Sequence, residues 1–527
     1  MTDVIGGGAP QFQPAPDLLR LAEAEASAMK RTGRVDDERL GLLLALAQDA
    51  IGQFQEAWVS PRIVETHQEQ SSSALIAAAR ILYDLAAAPT PTLMPDERAR
   101  LRVLAACAFA MQGNFPSAAA AVRDIGLEAA WTGSELAALA LSNPSETSVL
   151  GDARLGLPAR DLLVACRHYF TTGLRTDSTE AWRLLTAFVL SAQTAWEGVL
   201  HRCCRTILAQ QTVLATAQLL HLPYGAPFNA YVRNLIAEGR YTLLPPQNDL
   251  IWRQGFLGSA TNALVTLPTS TGKTLLAELA IARSLEDMDS VAIYVAPYIA
   301  LGRQVYESLQ RRAPEFMDVR GHFGDFNSTP APVWPDRRTV LVVTPERLDG
   351  ILRSDPTIFG RLRAVVFDEA HGIENGTRGV RLESLITRLK LQQSRCPKLR
   401  LILLSAVLTN GDDVRRWLGP HAVHYDQSWR PTARRIAFWF SGGNLTWLYG
   451  NDPLRPSGKT ALDQVAQLNL PWPMPHAPTE HPAGVESQKA GAFQNVSTLA
   501  VHLYNRDPAP VLIACATKAS TRGVATT

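Results

Sequence analysis

Two short segments carry residue types suited to phosphate chemistry. The first runs from Pro268 to Thr274, with the sequence Pro-Thr-Ser-Thr-Gly-Lys-Thr, between a β-rich run and a helical pattern that begins at Leu275. Unpaired N–H groups at a helix N-terminus bind anions, and a glycine lets the backbone approach phosphates closely. This pattern predicts a phosphate-binding loop for ATP. Because Leu267 stands where the strict pattern has its first glycine, an ordinary capped helix start is the alternative.

Different residues of the loop are expected to contact ATP and Mg²⁺. Lys273 can neutralise the β- and γ-phosphates, and the Thr274 hydroxyl can bind Mg²⁺. The predicted ATP-contacting residues of this loop are Thr269, Ser270, Thr271, Gly272, Lys273 and Thr274.

The second segment, Asp368-Glu369-Ala370-His371, directly follows an apolar run. The Asp368 carboxylate can hold Mg²⁺, and the adjacent Glu369 can orient and deprotonate the attacking water. His371 can sense the γ-phosphate or link the site to a residue at the end of another strand, such as Ser405. We expect the two carboxylates, His371 and Lys273 to form the catalytic set. The alternative, in which the acidic residues only cap the next helix, is common for an isolated Asp-Glu pair.

The elements around these segments predict an α/β fold with a doubly wound parallel sheet. Short runs that are nearly continuous in apolar residues alternate with amphipathic stretches, as in strands covered on both faces. The predicted strands are residues 263–267, 291–296, 339–344, 364–368 and 401–405. Ligands bind beyond the carboxyl ends of such strands, where Thr269 to Thr274, Asp368 and Ser405 fall.

Length and composition bound the rest of the chain. A chain of 527 residues predicts about three domains, and a net charge of +2 restricts any nucleic-acid surface to a local patch. We expect a disordered N-terminus (1–16), an all-α accessory domain (17–238), an α/β ATP-binding domain (239–432), a linker or insertion (433–508) and the start of a second, truncated α/β domain (509–527). No long apolar run or signal peptide is found, and scattered cysteines indicate reduced thiols, so we expect a cytoplasmic protein without a membrane span.

The order of the motifs in residues 241–420 resembles the first RecA-like domain of superfamily 2 DExH-box helicases, most closely the superkiller-like branch. Besides the two segments above, Leu244-Pro-Pro-Gln247 is similar to the adenine-recognising Q-motif. Ser405, Ala406 and Val407 resemble motif III, with Val407 in place of the usual threonine. Further matches are residues 296–301, 324–326 and 344–349, Arg378-Gly379 with Glu383, and Ser428-Trp-Arg-Pro431.

The resemblance implies a motor that couples hydrolysis of ATP with Mg²⁺ to movement along single-stranded nucleic acid, usually 3′ to 5′. We favour DNA over RNA as the track. Gln247 is implied to bind adenine, and motif III to couple hydrolysis to movement. The predicted strand contacts, whose hydroxyl, backbone and cationic groups suit a phosphate backbone, are Pro297, Tyr298, Arg303, Thr344, Pro345 and Arg347.

The resemblance also implies a second RecA-like domain, in cis or in trans, whose arginine completes the γ-phosphate site. We expect the chain alone to bind ATP–Mg²⁺ and to hydrolyse it slowly. Two other functions stay open at this stage. One is a nucleotide-responsive clamp on nucleic acid or protein that does not unwind, and the other is the ATPase subunit of a multi-subunit defence or restriction complex. In each case the helical N-terminus is a plausible surface for a protein partner.

Overall fold

The computed structural model describes residues 37–59, 65–88, 93–123, 131–146, 148–323, 337–374, 376–408 and 410–431, isolated positions between 19 and 30 and at 125, and three short strands after 431. The predictions for residues 1–16, 324–326 and 509–527 and for most of 433–508 lie outside these residues. The chain divides into two compact units, residues 109–432 and residues 1–108 with 433–527. No helix among the described residues is long and apolar enough to cross a membrane.

The first helices that the structure describes in full are rich in alanine and leucine. Helices α1 (Asp37–Val59) and α2 (Glu65–Ala87) contact each other along their apolar faces. Helix α3 (Pro95–Ala110) begins with a proline followed by Asp96 and Glu97, which suit the positive end of the helix dipole. A three-stranded antiparallel sheet belongs to the same unit and consists of Ile436–Trp439, Asn444–Leu448 and Leu468–Asn469.

Six helices form the first half of residues 109–432, as the prediction of an all-α region requires. They are α4 (Phe115–Val122), α5 (Gly133–Ser142), α6 (Leu157–Thr172), α7 (Arg175–Leu190), α8 (Ala195–Leu214) and α9 (Ala226–Ala237). Their ends follow from local sequence. Thr132 and Glu135 form a capping box at α5, and Gly173 ends α6 in the left-handed conformation.

The second half is a seven-stranded parallel sheet, which confirms the predicted doubly wound α/β fold. Its strands are β1 (Ala263–Thr266), β2 (Val291–Val295), β3 (Met317–His322), β4 (Arg338–Val343), β5 (Leu362–Phe367), β6 (Arg400–Ser405) and β7 (Val423–Asp426). They are arranged in the order β3-β4-β2-β5-β6-β1-β7. The helices of this half are α10 (Pro245–Trp252), α11 (Lys273–Ser284), α12 (Ile299–Arg312), α13 (Pro345–Ser354), α14 (Gly376–Gln392) and α15 (Gly411–Leu418).

The sheet is buried on both faces, which explains its nearly continuous apolar strands. Along β2, Ala292 and Tyr294 point into one apolar core, whereas Ile293 and Val295 point into the other. The five predicted strands are present as β1, β2, β4, β5 and β6. The prediction missed β3 and β7, which lie at the two edges of the sheet and carry polar residues.

The strand order brings the candidate chemical residues together. Strand β6 lies between β5 and β1, and the pairing register sets Thr266 opposite Ser405. Because all three strands are parallel, the segments that follow them leave the sheet at one edge. The phosphate loop, the Asp368-Glu369 pair and Ser405 therefore share a single site.

Candidate active site

The phosphate loop is closed by its own hydrogen bonds. Gly272 has a φ of +73°, a left-handed conformation that glycine adopts without strain. The Thr271 hydroxyl is buried and donates to the Pro268 carbonyl at 2.6 Å. The N–H groups of Gly272, Lys273 and Thr274 find no acceptor among the described residues. They lie at the N-terminus of α11 as unpaired donors, and unpaired N–H groups at a helix N-terminus bind phosphate.

Lys273 lies under this loop with its ammonium turned inward. The side chain is 8% exposed, and Nζ donates to the carbonyls of Leu267 at 2.9 Å and Pro268 at 3.3 Å. Burial lowers the Lys273 pKa, the charges of Glu369 and Asp368 oppose that shift, and the charge of Arg430 adds to it. The ammonium therefore stands in the field of both predicted carboxylates and of a second cation.

Asp368 is held in place by two donors. Its Oδ2 accepts from the Tyr294 hydroxyl at 2.7 Å, and its Oδ1 accepts from the Glu369 N–H at 2.9 Å. Tyr294 is fully buried, and its pKa is raised well above the usual range by burial and by the Asp368 charge. The nearby Thr274 side chain acts in the opposite direction on the Tyr294 pKa. Tyr294 thus lies beside both residues predicted to hold Mg²⁺.

The donor set fits Mg²⁺. Mg²⁺ in phosphate-transfer sites is bound through one or two carboxylates, substrate phosphates and water rather than by an all-protein cage. Asp368 and Thr274 offer a carboxylate and a hydroxyl beside the phosphate loop. The described residues contain no group of three or more His, Cys, Asp or Glu side chains that could hold a metal by themselves.

Glu369 is strained and has an unsatisfied oxygen. Its φ is +50°, which is uncommon for a residue with a side chain, and such strain concentrates at functional sites. Its Oε2 is shielded from solvent without a hydrogen bond, although it lies 3.3 Å from His371 Nδ1. The separation of 3.3 Å satisfies an ion-pair distance, but the contact lacks the directional geometry of a hydrogen bond. This oxygen is a free acceptor beside Asp368.

The motif III residues lie next to His371. The Ser405 hydroxyl is buried and donates to the Val407 carbonyl at 2.9 Å, with His371 Nδ1 3.5 Å away. Val407 itself is 63% exposed, and Ala406 is partly buried between them. The contact connects the end of β6 to His371, which lies two residues after Glu369.

Gln247 is bound to the phosphate loop. Its side chain is 3% exposed; Oε1 accepts from the Leu244 N–H at 2.8 Å, and Nε2 donates to the Gly272 carbonyl at 3.0 Å. A cavity of about 680 Å³ opens at this point and is lined by Gln247, Ser270, Gly272, Thr274 and, from the segment before α10, Tyr241. Its volume lies within the range typical of small-molecule sites, roughly 300–1,000 Å³.

The predicted strand contacts follow the carboxyl ends of β2 and β4. Tyr298 is 57% exposed and Arg303 is exposed, so both are accessible. Arg378 contacts the segments that follow both strands. It donates to the Pro297 carbonyl and to Glu346 Oε1, and its guanidinium lies over the Tyr298 ring. Pro345 is partly buried at the start of α13, and Thr344 is 7% exposed.

Arg347 corrects one prediction. It was expected to offer its charge to a strand phosphate, but its side chain is 2% exposed in this structure. Its charge acts inside the domain, where it helps burial to lower the His322 pKa. The reason is geometric: α13 turns this position toward the sheet, whereas Glu346 on the same helix is exposed.

Three residues of the site were not assigned a role from the sequence. Tyr294 lies inside an apolar strand, where it resembles any other core residue. Tyr241 lies six positions before Gln247, and Arg430 was noted only as a family marker. For Tyr294, the sequence did offer one signal: it is the one residue with a hydroxyl group in an otherwise aliphatic strand, Val291–Val295.

Comparison with known proteins agrees with this geometry. Residues 250–414 match the DEAD/DEAH box helicase family. The ATP-dependent DNA helicase Hel308 of Pyrococcus abyssi is 29% identical over 221 residues, which make up 40% of this chain and 29% of that protein. The Hel308 of Methanocella arvoryzae is 34% identical over 195 residues, 36% of this chain and 25% of that protein. The chain thus spans less than a third of the length of either relative.

Among solved structures, a DEAD box protein from the hyperthermophile Methanococcus jannaschii is 18% identical, with 38% of this chain and 54% of that chain covered and a TM-score of 0.31. The family match and the helicase relatives show that residues 250–414 are similar to the DEAD/DEAH box domain of superfamily 2 helicases.

Proposed function

We propose that this chain is the ATP-binding part of a helicase or translocase that moves along single-stranded DNA. The observation that carries the proposal is the convergence of Lys273, Asp368 and Glu369 at one edge of the sheet. The charges of both carboxylates act on the Lys273 ammonium, and the unpaired N–H groups at the N-terminus of α11 belong to the same loop. Nucleotide hydrolysis needs a cation, a carboxylate that binds the metal, a base for the attacking water and a loop that binds phosphate, and these residues supply all four.

Each residue then has a defined task. Thr269 to Thr274 hold the phosphates through backbone N–H groups, and the Lys273 ammonium exchanges its two loop carbonyls for phosphate oxygens. Asp368 and Thr274 would hold Mg²⁺, which neutralises charge on the phosphates when bound. Glu369 Oε2, which has no hydrogen bond to another described residue, accepts the proton of the attacking water. His371 and Ser405 lie behind Glu369 and connect its position to the end of β6.

DNA is proposed as the track because the relatives of this domain are DNA helicases. The accessible strand contacts are Pro297, Tyr298, Arg303 and Pro345, while Arg347 is assigned to the interior. The order of motifs supports membership in the superkiller-like branch. One RecA-like domain is found among the described residues, so we propose that a second such domain, in the same or a separate chain, supplies the arginine at the γ-phosphate.

A Glu369→Gln variant tests the hydrolytic assignment. Glutamine keeps the size of the side chain and removes its basicity. The variant should bind ATP–Mg²⁺ with an affinity within about threefold of the native chain, while single-turnover hydrolysis falls by a factor on the order of 10² or more, the lower range for a lost general base. Unchanged hydrolysis in this variant would rule out Glu369 as the base.

The track is tested separately by adding oligonucleotides. Because the chain alone is expected to hydrolyse ATP slowly, strand binding is measured: single-stranded DNA should bind the native chain more tightly than the same sequence as RNA. Arg303→Ala should weaken strand binding without changing the affinity for ATP–Mg²⁺. Equal affinity for the two strands would rule out the preference for DNA without affecting the proposed ATP hydrolysis. Absence of any strand binding would favour a motor that acts only as a subunit of a larger complex.

A further inference from the structure

The cavity beside the phosphate loop has a second wall that does not come from the RecA-like sheet. Gln247, Ser270, Gly272 and Thr274 line one side. The other side is lined by Phe115, Pro116 and Ala119 of α4 and by residues 143–145, which follow α5. These helices belong to the all-α region, which lies upstream of the segment that matches the helicase family.

Helix α4 is fixed against the RecA-like domain by hydrogen bonds at its first turn. Asn114 Nδ2 and Ser117 Oγ both donate to the Pro431 carbonyl, at 2.7 and 2.8 Å. Asn114 is 5% exposed, so this contact is shielded from water. Pro431 follows Arg430, whose charge reaches Lys273. The wall is therefore tied to a segment of chain that also borders the phosphate site.

The turn before α4 provides a second point of attachment. Gly113 has a φ of +74°, and a Cβ built there would lie 2.4 Å from Leu214 Cδ1 and 3.2 Å from Pro245 Cγ. Pro245 is the first residue of α10, the helix that carries Gln247. Close packing at this glycine sets the distance between α4 and the Gln247 amide. The two walls of the cavity are thus held at a defined separation.

The chemistry of the α4 wall suits a flat, largely apolar group with polar edges. Phe115, Pro116 and Ala119 offer apolar surface, and Asn143 adds a half-buried amide with no hydrogen bond to another described residue. The opposite wall presents the backbone and hydroxyl groups of the phosphate loop. A ligand whose anionic end binds at α11 would extend its uncharged end between the walls. A purine nucleoside attached to phosphates has this shape and polarity.

We propose that α4 and residues 143–145 form the base-side wall of the nucleotide site, so that the helical region takes part directly in binding the nucleoside of ATP. This inference rests on the proposed ATP-binding function and extends it to a region outside the matched domain. It makes the helical region a part of the nucleotide site rather than only a surface for partners. It also means that displacement of α4 would weaken nucleotide binding without any change in the phosphate loop.

The test compares a ligand that has the nucleoside with one that lacks it. ATP–Mg²⁺ and inorganic tripolyphosphate–Mg²⁺ are titrated calorimetrically into the full chain. The variant Ala119→Phe places a ring in the cavity, and Ala120→Phe makes the same change at an exposed position of the same helix that does not line it. We expect Ala119→Phe to weaken ATP binding at least tenfold and to leave tripolyphosphate binding within twofold. Ala120→Phe should bind both ligands as the native chain does.

A second variant, Asn143→Phe, fills the cavity from a separate element and gives the same test if Ala119→Phe does not fold. Native ATP affinity in a folded cavity-filling variant would overturn the inference. An equal loss of tripolyphosphate binding would also overturn it, because the damage would then lie in the phosphate loop. Native chain that binds tripolyphosphate as tightly as ATP would overturn it while leaving the phosphate site intact. Native chain that binds neither ligand would refute the ATP-binding function itself.

Discussion

Replacement of Gly272 by alanine adds one methyl group where the phosphate loop becomes α11. The residue has a φ of +73°, and its added Cβ would lie 2.1 Å from Gln247 Nε2. That amide has little room to move, because it is 3% exposed and bonded at both ends, to the Leu244 N–H and the Gly272 carbonyl. The substitution therefore forces either the loop or Gln247 out of position.

The expected cost follows from these two effects. A left-handed conformation costs a residue with a side chain about 1–2 kcal/mol. Loss of the bond from Gln247 to the Gly272 carbonyl costs a further 0.5–1.5 kcal/mol or so. The sum, roughly 1.5–3.5 kcal/mol, works against the binding-competent loop. Because about 1.4 kcal/mol is a factor of ten in affinity, ATP–Mg²⁺ binding should weaken roughly 10- to 300-fold.

Isothermal titration calorimetry with ATP–Mg²⁺ measures this effect directly. Gly360→Ala is the matched control, since Gly360 is exposed and an added Cβ meets nothing within 4 Å. The control should bind ATP as the native chain does and should change the free energy of unfolding by less than about 0.5 kcal/mol. A folded Gly272→Ala chain that binds ATP–Mg²⁺ within twofold of native would refute the assignment of this conformation to phosphate binding.

Three further predictions concern buried polar groups. Glu278→Ala should lower the free energy of unfolding in urea by about 1.5–3 kcal/mol, because the 9% exposed Arg312 guanidinium loses one of its two carboxylate partners, each at 2.7 Å, and keeps Glu238; a loss under about 0.5 kcal/mol would contradict this. Tyr294→Phe should cost about 1.5–3 kcal/mol in the same assay by removing the donor to the Asp368 carboxylate, and no loss would show the bond to be unimportant. Burial lowers the pKa of His201 below its ordinary 6.5, so the stability of its neutral form is present above that pH and is lost as pH falls through the folded pKa. His201→Gln should therefore flatten the decline of melting temperature between pH 7 and 5, and an unchanged slope would contradict the assignment.

The sequence was sufficient to predict the five central strands of the sheet, because strands that are buried on both faces consist of continuous apolar runs. The edge strands were missed for the same reason. Strand β3 includes Asp318 and Arg320, which form an ion pair with each other at its surface, and β7 includes the exposed Asp426. Such strands need fewer apolar residues, and their hydrogen bonds to the sheet leave no periodic signal in the sequence.

The site was predictable where its residues are contiguous and not where distant segments meet. The phosphate loop and the Asp368-Glu369 pair are local, since a strand end and the following turn position them. Tyr294 reaches Asp368 from another strand, and Phe115 reaches the cavity from the helical region. Arg347 was wrongly assigned to the surface because a sequence motif does not give the burial of its side chains. The chemical type of a residue was a better guide than its exposure.

The central claim is that the Lys273 loop binds ATP with Mg²⁺. Its most direct test is a calorimetric titration of the native chain and of Lys273→Ala with ATP–Mg²⁺. We expect saturable binding with one site for the native chain and at least 100-fold weaker binding for the variant, whose folding is verified by its melting curve. Equal affinity in the two chains, or no binding by a folded native chain, would contradict the account.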